Sequence, residues 1–101
     1  MSLESVTEIV RRAIGEDCGL KKRIKFVFEK GAVHVDGVAV PNVVSNDGEK
    51  EADLTLGMSL ENFERIMARE ISGKKVMLTG QMKIRGDVRI TLQLDRILKL
   101  T

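Results

Sequence analysis

The sequence holds no tryptophan, no tyrosine, one proline, one cysteine, one histidine and three phenylalanines among 101 residues. Each scarcity excludes something. A lone cysteine, Cys18, forms no internal disulfide, so nothing in the chain depends on an oxidising compartment. One cysteine and one histidine assemble no Cys/His metal cluster, and no sequence feature brings Cys18 and His34 together as a thiolate pair. An aromatic content of 3% leaves no stacking platform of the kind single-strand nucleic-acid binders use. The net charge of +2 is too small to argue for a polyanionic partner, so no nucleic acid is expected. No apolar run approaches the roughly 18 residues of a membrane-spanning helix. Glu4, Glu8, Arg11 and Arg12 interrupt the N-terminal stretch, so no signal-peptide hydrophobic region is expected and the cytoplasm is the expected location.

The remaining inventory offers little to catalysis. His34 alternates with Val33 and Val35, which predicts a histidine that faces solvent or lies on the sheet surface. Cys18 follows Asp17, a neighbour that does not favour a thiolate, and reads as an ordinary structural thiol. Asp36, Asp47, Asp53, Glu49 and Glu51 are scattered among turn formers rather than paired. The glycines follow no phosphate-loop spacing. A non-enzymatic protein without cofactor or metal is the expectation.

What is present is an apolar complement of 43% with five methionines and many Val, Ile and Leu, beside 32% charged residues. A chain of this length is one domain by size, residues 1–101, and buries roughly two-thirds of its unfolded surface. Flexible, polarizable Met side chains fill irregular core gaps or line cavities that accept variable apolar shapes. Composition leaves both open.

The local patterns alternate between two periods. Ser5-Val6-Thr7-Glu8 has the spacing of a capping box, and Val6, Ile9, Val10, Ala13 and Ile14 form one helical stripe that Gly15 ends. Residues 23–29 alternate with Ile24, Phe26 and Phe28 on one face. Lys30-Gly31 is a turn signal, and Val33 and Val35 continue the alternation to Asp36-Gly37. Val38-Ala39-Val40 follows, then Pro41, which marks an edge, a bulge or a strand end. Val43-Val44 runs into the turn formers Ser45-Asn46-Asp47-Gly48, and Ala52–Leu56 is the last strand of this group. Ser59 is an N-cap for a helix carrying Leu60, Phe63, Ile66 and Met67 on one face, with Ser72-Gly73 as its end. The short segment Val76-Met77-Leu78 leads to Gly80, and Gln81–Arg85 is a further strand closed by Gly86. Gly80 and Gly86 bracket that strand as residues do where a backbone turns sharply or passes close to a neighbour. In the final stretch Val88, Ile90, Leu92 and Leu94 alternate as in a strand, whereas Ile90, Leu94, Ile97 and Leu98 form a helical stripe. Periodicity does not settle it.

The order and spacing of several short segments carry a resemblance. Ala52-Asp53-Leu54-Thr55-Leu56-Gly57-Met58-Ser59, followed by Leu60-Glu61-Asn62-Phe63-Glu64-Arg65-Ile66-Met67, resembles the strand-to-helix segment of the sterol carrier protein 2 family. Gly80-Gln81-Met82-Lys83-Ile84-Arg85-Gly86-Asp87 is similar to that family's G-K-(L/M)-K-(I/V)-x-G strand. The Phe26-to-Gly37 hairpin and the Val44–Asp47 turn are similar to bacterial members, so the resemblance covers roughly residues 20 to 98. It implies an α+β fold: a five-stranded, mostly antiparallel twisted sheet covered on one side by helices, with an apolar tunnel between. It also implies a helix over residues 87–98. The chain departs from the family pattern at Gly73-Lys74-Lys75-Val76, where Pro and small residues are usual. A second departure is Val88-Arg89-Ile90-Thr91-Leu92, bulkier and more polar than the Gly- and Ala-containing version of relatives.

By pattern alone the apolar residues of the facing elements, Val35 included, serve a filled core and a tunnel equally well. With the resemblance, the candidate cavity set is Phe26, Phe28, Leu56, Phe63, Ile66, Met67, Met77, Met82, Ile84 and Leu92, with Phe63, Met67, Met77 and Met82 foremost. The basic run Lys21-Lys22-Arg23 and the pair Lys74-Lys75 are candidates for head-group or transient membrane contact. The alternative for the first run is an edge strand that carries Lys to block aggregation. The expected partner is a hydrophobic small molecule or lipid: a fatty acid, an acyl thioester, a phospholipid or a sterol-like compound. The competing readings are a protein-interaction or homodimerisation module on the same fold, and an accessory domain presenting lipid to an enzyme.

Overall fold

The computed structural model describes residues 2–98. In chain order the elements are α1 (Leu3–Ile14), β1 (Arg23–Phe28), β2 (Gly31–Asp36), β3 (Val43–Ser45), β4 (Leu54–Gly57), α2 (Leu60–Met67), α3 (Gly73–Leu78), β5 (Lys83–Gly86) and α4 (Ile90–Leu98). The strands form one five-stranded sheet in the order β3-β2-β1-β4-β5. Three of its ladders are antiparallel and one, β1 with β4, is parallel. The α+β architecture with a mostly antiparallel sheet is therefore as expected.

Register explains the core. One row across the sheet reads Val33–Phe26–Leu56–Ile84, and the next reads Val35–Ile24–Leu54–Gly86. Every side chain in these rows up to β4 is buried to within 1% of completely, so the apolar face of the sheet is one continuous surface. The amphipathic helices cover it: Val6, Val10 and Ile14 of α1, Leu60, Phe63 and Ile66 of α2, Val76 of α3, and Ile90, Leu94 and Leu98 of α4. Phe63 meets Phe26 and Phe28 edge-on, each at 5.4 Å between ring centroids, the arrangement that aromatic quadrupoles favour.

The opposite face carries the row Ser45–His34–Lys25–Thr55–Arg85. His34, expected to face solvent or lie on the sheet surface, is 1% exposed. The reason is the segment before β4, which folds back over this face. The His34 Nε2 lies 2.8 Å from the Glu51 carbonyl oxygen, and Lys25 Nζ donates to the carbonyls of Gly48 and Lys50. Alternation assigned His34 to the correct face of the strand but did not reveal that a loop covers it. The edge-strand alternative for the Lys21–Arg23 run is also corrected, because β1 is the central strand of the sheet.

Several boundaries differ from the sequence reading for local reasons. The capping box of α1 begins at Ser2, whose side chain accepts from Ser5 N while Ser5 answers the Ser2 backbone. Ala13 is exposed and Thr7 takes its place in the buried stripe, its Oγ1 accepting from Asn46 Nδ2 at 3.0 Å. Asn46 Nδ2 also donates to Ala32 O at 2.9 Å, which ties α1 to β2. Val38-Ala39-Val40 is not a strand; it leads to the cis Val40–Pro41 bond. The helix α2 stops at Met67, before Arg69 at φ +63°. Ser72 does not close that helix. It opens the next one, its Oγ accepting from Lys75 N at 3.1 Å. Residues 76–78, read from the sequence only as a short apolar segment, therefore belong to α3. At the C-terminal end the helical alternative prevails, as the resemblance implied, but the helix begins at Ile90 rather than at Asp87. Asp87 Oδ1 accepts from Arg89 N, and Ile90, Leu94 and Leu98 are buried at i, i+4 and i+8 while Leu92 points out.

Candidate ligand-binding cavity

Two helix starts and one strand edge build the site. The Ser72 cap fixes the first turn of α3 and so aims Gly73, Lys74 and Met77 at the same space. On the sheet side, Leu56 of β4 and Ile84 of β5 are register partners, with Met82 just before β5. Thr91, Leu92 and Asp95 of α4 close the third wall. Together these residues line a cavity of about 310 Å³ over the β4–β5 end of the sheet. Among the described residues its wall is apolar apart from Lys74, Thr91 and Asp95. Met77 and Leu92 line it while remaining 41% and 70% exposed, so the cavity opens to solvent between α3 and α4.

The structure thus brings together Leu56, Met77, Met82, Ile84 and Leu92 of the nominated apolar set, and places Lys74 among them. Phe26, Phe28, Phe63 and Ile66 lie instead in the filled core under α2, and Met67 packs half-buried against that core. Lys75 is exposed on α3. Lys21, Lys22 and Arg23 are exposed at the start of β1 and contribute nothing to the cavity wall. Gly73, Thr91 and Asp95 were not nominated. The signal that points to Gly73 is Ser72 read as an N-cap; the signal for Asp95 is its place one turn after Thr91 on the same helix face.

Three carboxyl groups, Glu29, Asp36 and Asp87, are tied down by local geometry. Accepting the Leu60 backbone N–H at 2.9 Å holds the Glu29 carboxyl below its ordinary value and fixes the entry to α2. Burial acts to raise the Asp36 carboxyl, but the Ala39 and Val38 backbone N–H groups and Arg23 outweigh it and the group is lowered. The Arg89 guanidinium and backbone N–H hold Asp87 below the usual carboxylate range, and Asp87 raises Arg89 in turn. Among the described residues no group of three or more His, Cys, Asp or Glu is placed to hold a metal ion. Nor is any helix long and apolar enough to cross a membrane.

A mixed sheet with helices on one face and an apolar cavity between the two layers defines an α+β domain with room for a hydrophobic ligand. The chain belongs to the SCP-2 sterol transfer family, whose model matches residues 3–99. No curated sequence relative matches it. Among solved structures, the sterol carrier protein domain 2 of Helicoverpa armigera is similar at a TM-score of 0.78 and 16% identity, over 94% of this chain and 84% of that one. Sterol carrier protein 2 from Yarrowia lipolytica, in its apo form, is similar at 0.75 and 16% identity, over 93% and 87%. Palmitated SCP2L2 from Aedes aegypti is similar at 0.70 and 16% identity, over 97% and 95%. At these identities the likeness is one of fold.

Proposed function

We propose that this chain is a passive, cofactor-free and non-catalytic cytoplasmic carrier that holds a single acyl chain in the α3–α4–β5 cavity. Fatty acids and acyl thioesters are its principal ligands, ahead of phospholipids and sterol-like compounds. The observation that carries the reading is the cavity itself, an apolar space of about 310 Å³. That volume stands at the lower end of the range for small-molecule sites and equals about ten water-sized groups. It suits one extended hydrocarbon chain better than a fused-ring sterol or a two-tailed lipid. Lys74, the one cation on the wall among the described residues, orients an anionic head. The palmitated state of the Aedes aegypti relative supports an acyl ligand. Binding needs no reacting group, since each buried methylene contributes about 0.8 kcal/mol.

Native mass spectrometry of freshly purified protein, followed by organic extraction, tests this. The expected result is a co-purifying lipid that added fatty acid displaces and that Met82→Trp, which fills the cavity, excludes. Across a saturated fatty-acid series, affinity rises about fourfold per carbon until the chain fills the space. A mass that stays unshifted with fatty acids, acyl thioesters, phospholipids and sterols alike refutes the proposal and leaves an interaction module on the same fold.

A further inference from the structure

We propose that the free edge of β5 and the outer face of α3 form a docking surface for an anionic lipid bilayer, which presents the mouth of the cavity to the lipid. This rests on the acyl-carrier reading of the cavity and adds the partner from which the ligand is drawn. The charge of the chain is unevenly placed. Between Ile71 and Leu92 there are five basic residues, Lys74, Lys75, Lys83, Arg85 and Arg89, and one acid, Asp87. That leaves 12 of the 17 basic residues and 14 of the 15 acidic ones elsewhere, so the rest of the molecule has the opposite sign. A net charge of +2 hides this division.

Asp87 is engaged by Arg89 Nε at 2.9 Å and so offsets that one cation, leaving the other four. Among the described residues, none of the ion pairs involves Lys74, Lys75, Lys83 or Arg85. These four flank one edge of the sheet from both sides. Lys74 and Lys75 come from the helical layer, while Lys83 and Arg85 stand on the face of β5 opposite Ile84. β5 is the last strand of the sheet, so its outer edge faces no other strand. The same stretch carries exposed apolar side chains, Leu78 at 73% and Leu92 at 70%. Leu78 adjoins Met77, and both Met77 and Leu92 line the cavity mouth. Cations at the rim and apolar groups at the opening match a bilayer, where head groups carry the negative charge and the acyl region lies beneath. An acidic protein surface would satisfy the lysines but give no reason for the apolar side chains to gather where the cavity opens.

Flotation with vesicles of two parts phosphatidylcholine to one part phosphatidylserine provides the test, with pure phosphatidylcholine vesicles alongside. The wild-type chain is expected to float with the anionic vesicles alone, and added salt releases it as the charges are screened. Each cation at the surface is worth about fivefold in partitioning. The triple variant Lys75→Gln, Lys83→Gln and Arg85→Gln is therefore expected to bind about a hundredfold more weakly. The same charge change at Arg12, Lys30 and Lys50 should alter binding less than about fivefold. Leu78→Ser is expected to weaken binding while keeping its salt dependence. No wild-type flotation, or equal losses in the two triple variants, overturns the inference. Uptake of a fluorescent fatty acid in vesicle-free buffer separates this from the carrier reading, and circular dichroism confirms that each variant is folded. Fatty-acid uptake without flotation ends the docking proposal and leaves the carrier. Flotation that depends on the three cations without any fatty-acid uptake supports the docking surface and ends the carrier reading.

Discussion

Gly80 and Gly86 bracket β5, but the structure gives them different work, and substituting each with alanine separates the two roles. Gly80 has φ +77° and open space where a Cβ would stand. Gly80→Ala therefore adds only the strain of a left-handed backbone, about 1 kcal/mol. Gly86 has φ +105°, and a Cβ there overlaps the Asp53 carbonyl oxygen and comes within 3.1 Å of its carbonyl carbon. That carbonyl is not free to move, because it accepts from Asp87 N at 2.9 Å beside the Leu54–Gly86 register pair. Gly86→Ala combines backbone strain of roughly 1–3 kcal/mol with a weakened hydrogen bond worth about 1 kcal/mol. The total is about 3 kcal/mol, some 2 kcal/mol beyond Gly80→Ala. Urea unfolding followed by far-UV circular dichroism suits a chain without tryptophan or tyrosine. The midpoint for Gly86→Ala should lie about 1 M below that for Gly80→Ala, with similar slopes. Midpoints that agree within error would refute the claim that close backbone approach, rather than turn conformation, demands the second glycine. The consequence reaches the cavity, since β5 carries Ile84 into its wall.

Phe63→Ala removes the ring that meets Phe26 and Phe28 and should destabilise the fold by about 3–5 kcal/mol in the same assay. A loss under about 1 kcal/mol would mean that the core under α2 is not filled as described. Ser72→Ala deletes the cap of α3 at an expected loss of about 1 kcal/mol and should weaken fatty-acid binding, because Lys74 and Met77 ride on that turn; unchanged binding would detach α3 from the site. The lowered carboxyls of Glu29, Asp36 and Asp87 contribute stability that is present above their ordinary values of 4.5 for Glu and 3.8 for Asp. It is lost as pH falls through the lower native values. Stability measured against pH should therefore be flat near neutrality and drop on the acid side, and Glu29→Gln should make that drop shallower.

The sequence alone determined the positions of the strong elements, and its resemblance to a known family implied the α+β class. Strict alternation over residues 23–36 and wide apolar stripes in α1 and α2 are local signals that any packing arrangement must respect. The nominated Met77, Met82, Ile84 and Leu92 converge on one cavity, yet their pattern could not say so. A tunnel wall and a filled core draw on the same apolar residues, and Phe26, Phe28, Phe63 and Ile66 went to the core. Short elements were the least legible. Six residues of α3 span less than two turns, too few to establish a period, so Ser72 was legible as an end and not as a beginning. The Val88–Leu98 stretch satisfied both periods, and only its packing against the core decided that Leu94 and Leu98 turn inward while Leu92 turns out. His34 was placed on the correct face of its strand, but its burial depends on a loop that arrives from 17 residues later in the chain. Periodicity reports which face a side chain takes. What covers that face is decided by contacts between distant segments, which local sequence does not encode.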